Sequence, residues 1–302
     1  MDMMNKLLLC TILLCALAAF PSCGNKNKVV AGAPAVASKP FKPDMRFESI
    51  DSLVDCMIDG MYNETPDEFV QHYENRAAAI KSYWYLNHKG EDNSQMDETV
   101  CRDLEALADS LSGGSTYDMV LCGSIERAIS RYLTAMEYCL NYKGNTLYQN
   151  EMRDWLLLEK ELGSFYGELA YLANWGGSIA RVIASGTLAD LSKARQEDFS
   201  ELYIDGYFSS SDMTIAEARA NLIQELADAK SLDDEMADEL YDGEAFREML
   251  KEMRADADKV VVLLDRWLAS RAKLCEAQGI PESHTAHFID RLSANIMQLI
   301  EG

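Results

Sequence analysis

Apolar positions along this chain follow the spacing of α-helices. Between Pro66 and Pro281 there is no proline, and Ala, Leu, Glu, Met and Arg, which are good helix formers, dominate the interval. Apolar residues recur there three or four positions apart, and no convincing run alternates β-branched with polar residues. The pattern predicts an all-α protein, a multi-helix bundle of about eight to ten helices.

The clearest predicted helix covers residues 244–278. Its apolar stripe consists of Phe246, Leu250, Met253, Ala257, Val260, Leu264 and Trp267. Gly279 supplies a stop and Pro281 begins a last helix, because glycine is favoured just after a helix and proline at its first position. The last helix is expected to bury Phe288, Leu292, Ile296 and Leu299.

Residues 117–142 and 150–174 are two further candidate helices. If the first of them is continuous, Cys122 and Cys139 lie about 25 Å apart along it. A disulfide needs the two Cα atoms within about 7 Å, so these two cysteines cannot pair with each other.

The best boundary within the folded part is the Ser-Gly-Gly-Ser segment at 112–115. It divides an N-terminal helical unit at 44–111 from a main helical domain at 116–302. Within the first unit, Thr65 is a good N-cap and Pro66 a good first helical residue, so a helix is expected to begin there.

The N-terminus has the layout of a secretory signal. Lys6 precedes an uncharged apolar run at 7–20, which is shorter than the roughly 20 residues that a membrane-spanning helix needs. A basic residue, a short apolar run and then a small residue are typical of a signal peptide that is removed after export.

The run ends at Ser22 and Cys23, and this end resembles the lipobox of bacterial lipoproteins. The resemblance implies that residues 1–22 are a signal peptide cleaved after Ser22, and that Cys23 carries the lipid. Phe20 and Pro21 depart from the commonest pattern, which has an aliphatic and a small residue there. The alternative is an ordinary cleavable signal with a chance cysteine.

Residues 23–43 read as a lipid-anchored flexible tether, because they combine prolines, small residues and lysines without an acid. Lys26 and Lys28 stand where surface-exposed lipoproteins carry an acidic run, so the resemblance favours the periplasmic face. In bacterial lipoproteins, a residue other than aspartate directly after the lipidated cysteine favours the outer membrane over the inner one. This chain has Gly24 at that position, so the resemblance favours the outer membrane.

The charge of the chain restricts its partners. A formal net charge of −22 and a pI of about 4.5 argue strongly against nucleic acid as a partner, because its phosphates demand a basic face. The same charge disfavours contact of the folded part with an anionic bilayer, but it permits a basic protein or an envelope polymer as partner. Besides Cys23, five cysteines remain after maturation, and their disulfide pairing stays open: Cys56, Cys101, Cys122, Cys139 and Cys275. No pair has the C-x-x-C spacing of thiol–disulfide chemistry.

One charged residue falls on the apolar stripe of the clearest helix. Trp267, Arg271 and Cys275 are four apart and share a face, so Arg271 is expected to pair with a carboxylate from a neighbouring helix and to serve the fold rather than catalysis.

Together with the LDDEM segment at 232–236, the W-x3-R-x3-C spacing of these three residues resembles the helical envelope domain of LprI-type lysozyme inhibitors. The resemblance, which covers residues 232–275, implies an α-helical, often lipid-anchored binding domain, and one branch of that family inhibits lysozyme. The family pattern has an aromatic residue and an Asp beside the Arg, where this chain has Ser270 and Ala272.

A degenerate second copy of this pattern covers residues 121–171, with Trp155 in place and Glu159 where the Arg would stand. The alternative is that any amphipathic helix carries a Trp, an Arg and a Cys at this spacing by chance.

Candidate chemistry is sparse. His284 and His287 have a spacing that allows a shared metal, but a surface pair at a helix start is the better interpretation. The acidic segment at 231–244 lacks the oxygen ligands of a calcium loop. We expect no catalytic residue, no metal site and no cofactor. In the aromatic triplet at 83–85 at least one side chain is expected to be exposed for binding.

These patterns favour a non-enzymatic, acidic helical binding lipoprotein of the cell envelope. The first alternative is an LprI-like inhibitor of a basic muramidase. The second alternative is a hydrolase with an unrecognised site.

Overall fold

The computed structural model describes residues 41–61, 66–174, 177–201, 208–232 and 243–301. These residues form nine α-helices and no β-strand, which confirms the predicted all-α bundle. The helices are α1 (Ile50–Ile58), α2 (Pro66–Asn87), α3 (Met96–Leu111), α4 (Thr116–Glu137), α5 (Thr146–Ala173), α6 (Ser178–Glu201), α7 (Ile215–Lys230), α8 (Gly243–Gln278) and α9 (Glu282–Glu301). Within these ranges, no helix is both long enough and apolar enough to cross a bilayer.

Local sequence signals account for where these helices begin and end. A capping box between Ser115 and Asp118 begins α4, and α4 continues into a single π-helical turn at Tyr138–Tyr142. Gly279 ends α8 with a φ of 68°, a left-handed conformation that costs glycine little. Thr65, the predicted N-cap of α2, lies outside the described residues.

The apolar core consists of two clusters. The N-terminal cluster joins α1, α2 and α3 to the first part of α4, around Leu53 and Trp84. The C-terminal cluster joins the end of α4 to α5 through α9, around Trp155 and Trp267. The predicted boundary at 112–115 is the turn between α3 and α4, and Lys42–Gly302 form one compact unit.

Helices α4 and α6 run parallel and cross closely. The Ser185 hydroxyl donates to the carbonyl of Val120 at 2.9 Å, and the Ser200 hydroxyl donates to Glu137 at 2.7 Å. A Cβ atom on Gly123 would lie 3.0 Å from the backbone of Ser185, so this crossing requires a glycine.

Helix α5 connects the rest of the C-terminal bundle. It packs along α8 and beside α6, and the Tyr166 hydroxyl at its buried face donates to the carbonyl of Leu292 in α9 at 3.4 Å. Helix α9 in turn packs along α7 and against α6. Polar side chains on the inner faces of α5, α6, α8 and α9 therefore meet in the bundle interior.

Candidate functional site

Arg271 lies in the bundle interior, as its position on the apolar stripe predicts. Its side chain is fully buried on α8, with Nη2 2.6 Å from Oδ1 of Asp198 on α6. Its Nη1 lies 3.5 Å from Oε1 of Glu151 on α5. The predicted pairing with a carboxylate from a neighbouring helix is thus confirmed, and two helices supply partners.

A second arginine completes this arrangement. Nη2 of Arg195 lies 2.6 Å from Glu151, and its Nη1 lies 2.6 Å from Asp198. Each arginine therefore contacts both carboxylates, and the two positive charges balance the two negative ones. Burial alone would raise the pKa of Asp198, but the cations around it hold that pKa well below its usual value. Together with His284, these four residues are called the buried charge cluster below.

His284 joins the cluster from α9 and is 1% exposed, so the predicted surface pair with His287 is wrong for this residue. Its Nε2 lies 3.1 Å from Asp198 and its Nδ1 lies 3.3 Å from Glu201. Burial alone would lower the pKa of His284, but these two carboxylates raise it to about 9. Helix α6 covers the face of α9 that carries His284. The spacing of apolar residues within α9 does not reveal this neighbour.

We expect the protein to lose stability as the pH rises from about 6.5 to about 9. His284 has a pKa of about 9 in the folded state, above its ordinary value. A raised pKa means that its charge stabilises the fold fully below about pH 6.5, and that this contribution disappears as the pH passes the folded-state value. The full effect is at most about 3 kcal/mol.

Thermal unfolding between about pH 6 and pH 9.5 measures this loss. The slope of melting temperature against pH should be smaller in His284→Gln than in the unmodified chain. His287→Gln, which changes the half-buried neighbour on the same helix, serves as the control. Equal slopes in all three proteins would contradict the assignment.

The other two residues of the family-like motif are also interior. Trp267 donates from Nε1 to Glu151 at 2.8 Å and packs edge-on against Trp155 at a centroid distance of 5.7 Å. Burial raises the pKa of Cys275, whose sulfur lies 3.6 Å from the Thr285 hydroxyl. All three motif residues therefore support the packing of α8. The five cysteines of the described chain are free thiols: Cys56, Cys101, Cys122, Cys139 and Cys275.

A second buried ion pair stands where the degenerate copy was predicted. Glu159 on α5 lies 2.5 Å from Nη1 of Arg131 and 4.0 Å from Arg127, both on α4, and it accepts a hydrogen bond from Ser192 at 3.2 Å. Burial alone would raise the pKa of Glu159, but the two arginines lower it. Sequence reasoning missed this pair, although Arg127 and Arg131 are four apart beside apolar positions, the same signal that identified Arg271.

No side chain of the aromatic triplet is fully exposed. Trp84 is 2% exposed and donates from Nε1 to Asn93 at 2.8 Å, Tyr83 is buried beside Asp103, and Tyr85 is half-buried. The prediction of an exposed aromatic is therefore wrong, because α2 packs against neighbours on more than one side.

The surface carries a basic groove between α5 and α8, about 290 Å³ in volume. It is lined by Leu147, Asn150, Arg153, Asp154, Arg266, Ala269, Ser270 and Lys273, three cations and one carboxylate among them. Nε of Arg266 lies 2.8 Å from Oδ1 of Asp154, and Nε of Arg153 lies 3.4 Å from the same oxygen. This excess of cations is unusual in a chain with a net charge of −22.

The opposite charge is concentrated at the other end of the chain. Residues 44–111 contain sixteen acidic and five basic side chains, a net charge of −11 and half of the total. Asp51, Asp55 and Asp59 are exposed four residues apart along α1 and its C-terminal cap, opposite the buried Leu53. The three aspartates are called the acidic face below.

No group of His, Cys, Asp and Glu in the described part of the chain could hold a metal ion. Ser22, Cys23, residues 233–236 of the LDDEM segment and most of the acidic segment at 231–244 lie outside the described residues. No protein-family model, curated protein or solved structure matches the chain.

Proposed function

We propose that this protein is a non-enzymatic binding protein of the cell envelope, lipid-anchored through Cys23 to the outer membrane and facing the periplasm. Its helical bundle serves as a scaffold that presents surfaces to a partner. The composition of residues 23–43 supports a tether between the lipid and the bundle. Export and lipidation rest on the N-terminal sequence pattern alone.

The buried charge cluster is the observation that supports a binding function without catalysis. Carboxylates, arginines and a histidine that converge in a protein are the usual material of an active site. Here the residues of the buried charge cluster contact one another in the bundle interior. Their positive and negative charges compensate each other. Such compensation suits a role in fixing how the helices pack.

The acidic face supports a basic protein as the partner. Its aspartates project from a short helix whose other side is packed into the N-terminal cluster, so their positions are fixed. Clustered charge of one sign accelerates encounters with a partner of opposite sign. The narrower candidate, inhibition of a basic muramidase, is favoured by the same feature.

Lysozyme, a basic muramidase, is the probe for a binding experiment with the full chain in detergent micelles. We expect binding at low salt that weakens at high salt, because screening shortens the reach of charges from about 10 Å at 0.1 M to about 3 Å at 1 M. Replacing both Asp55 and Asp59 by asparagine should weaken binding about fivefold. A simultaneous fall in muramidase turnover would support the inhibitor.

The matched control is Glu248→Gln with Asp258→Asn, which changes net charge equally at two exposed, lysine-paired positions of α8. This control should bind like the unmodified chain. Binding that ignores salt, or an equal loss in both double variants, would contradict the role of the acidic face. Hydrolysis of envelope glycan by the chain itself would support the hydrolase instead.

A further inference from the structure

The basic groove between α5 and α8 has features of an anion-binding site, and it lies apart from the acidic face. Arg153, Arg266 and Lys273 line it together with a single carboxylate, Asp154. Clefts lined by one sign of charge focus the electrostatic potential and raise the local concentration of counter-ions. In an acidic protein, a cluster of cations that lines one groove points to an anionic ligand.

Asp154 orients the two arginines. Its side chain is only 7% exposed, whereas those of Arg153 and Arg266 are about half exposed. Nε of Arg153 donates to its Oδ1 at 3.4 Å, and Nε of Arg266 forms an ion pair with the same oxygen at 2.8 Å. A guanidinium held at Nε keeps its terminal amino groups as donors in a fixed planar fork.

Those terminal groups are available. Within the described part of the chain, the Nη atoms of Arg153 and Arg266 donate no hydrogen bond, and Lys273 and the side-chain amide of Asn150 also have no partner there. The groove thus combines two oriented guanidinium groups, an ammonium group and an amide. These are the donors that proteins use to bind oxyanions.

We propose that the groove binds the phosphate group of a small phosphorylated molecule. Two guanidinium forks and an ammonium match the charge and the several oxygens of a phosphate better than the single charge of a carboxylate. The volume of about 290 Å³ accommodates a phosphate with a small organic remainder and is close to the lower limit of ligand pockets, about 300 Å³. The same chemistry would accept the phosphate of a lipid headgroup.

The test is calorimetric titration of the full chain in uncharged detergent micelles, at constant ionic strength, with inorganic phosphate and with glycerol phosphate. We expect saturable binding with a Kd of about 1 mM or tighter, and tighter binding of glycerol phosphate. Repeating the titration in micelles that contain phosphatidic acid distinguishes a free phosphorylated molecule from a lipid headgroup as the ligand. Weaker apparent binding there would show that a lipid headgroup also occupies the groove, and unchanged binding would restrict the site to free phosphates.

Arg266→Gln and Lys273→Gln should each weaken phosphate binding about tenfold, because each removes a charge-assisted hydrogen bond. Lys273→Gln breaks no ion pair within the described residues, so its effect is independent of folding. Lys251→Gln removes an exposed cation from the same helix outside the groove and should bind phosphate like the unmodified chain. No saturable binding, or an equal loss in Lys251→Gln, would overturn the proposal and would leave the lysozyme experiment unaffected.

Discussion

Replacing Arg271 by alanine is expected to lower the free energy of unfolding by about 3 to 5 kcal/mol. The guanidinium is fully buried between Asp198 and Glu151, and both carboxylates would keep only Arg195 as their arginine partner. An uncompensated charge in a dry interior costs several kcal/mol, a large share of the stability of a domain. The melting temperature should fall by many degrees.

Chemical denaturation of three variants tests this expectation. Arg271→Lys should recover part of the loss, because an ammonium keeps the charge without the planar fork. Arg219→Ala is the matched control, since Arg219 pairs with Asp265 at 2.6 Å on the exposed surface, where such pairs contribute about 0 to 1 kcal/mol. A loss in Arg271→Ala no larger than that in Arg219→Ala would contradict a structural role for the buried charge cluster.

Replacing Cys23 by alanine is expected to abolish lipid attachment and with it the anchoring of the mature protein. Stable anchoring takes more than one acyl chain, and the lipid on this cysteine is the source that the N-terminal pattern provides. Incorporation of labelled palmitate into the chain in growing cells should fall to background. The signal peptide should then remain uncleaved or release a soluble chain.

Cys56→Ala is the control, because this half-buried thiol belongs to the helical domain and should leave palmitate labelling unchanged. Undiminished labelling of the Cys23→Ala chain would contradict lipid attachment at Cys23, and that part of the proposed function would be wrong. The lysozyme and phosphate experiments would still stand, because they depend on the helical domain alone.

The helical class of this protein and the position of its longest helix follow from the spacing of apolar residues. A period of three to four residues is set by the local backbone geometry of one helix, so it can be read without knowledge of any neighbour. The spacing predicts a helix over residues 244–278, and α8 covers Gly243–Gln278. The position of Arg271 on the apolar stripe likewise required it to be buried and paired, because an isolated buried charge is too costly.

The contacts between distant residues depend on how the helices pack. Glu151 is 120 residues from Arg271 and Asp198 is 73 residues away, and in a chain with 50 acidic residues no local pattern distinguishes these two. The burial of His284 depends on how α9 packs against α6. The spacing of apolar residues along α9 carries no information about that packing. The basic groove exists because α5 and α8 lie side by side and bring Arg153 and Arg266 to one carboxylate. Periodicity fixes the face of a helix, whereas helix packing fixes what that face contacts.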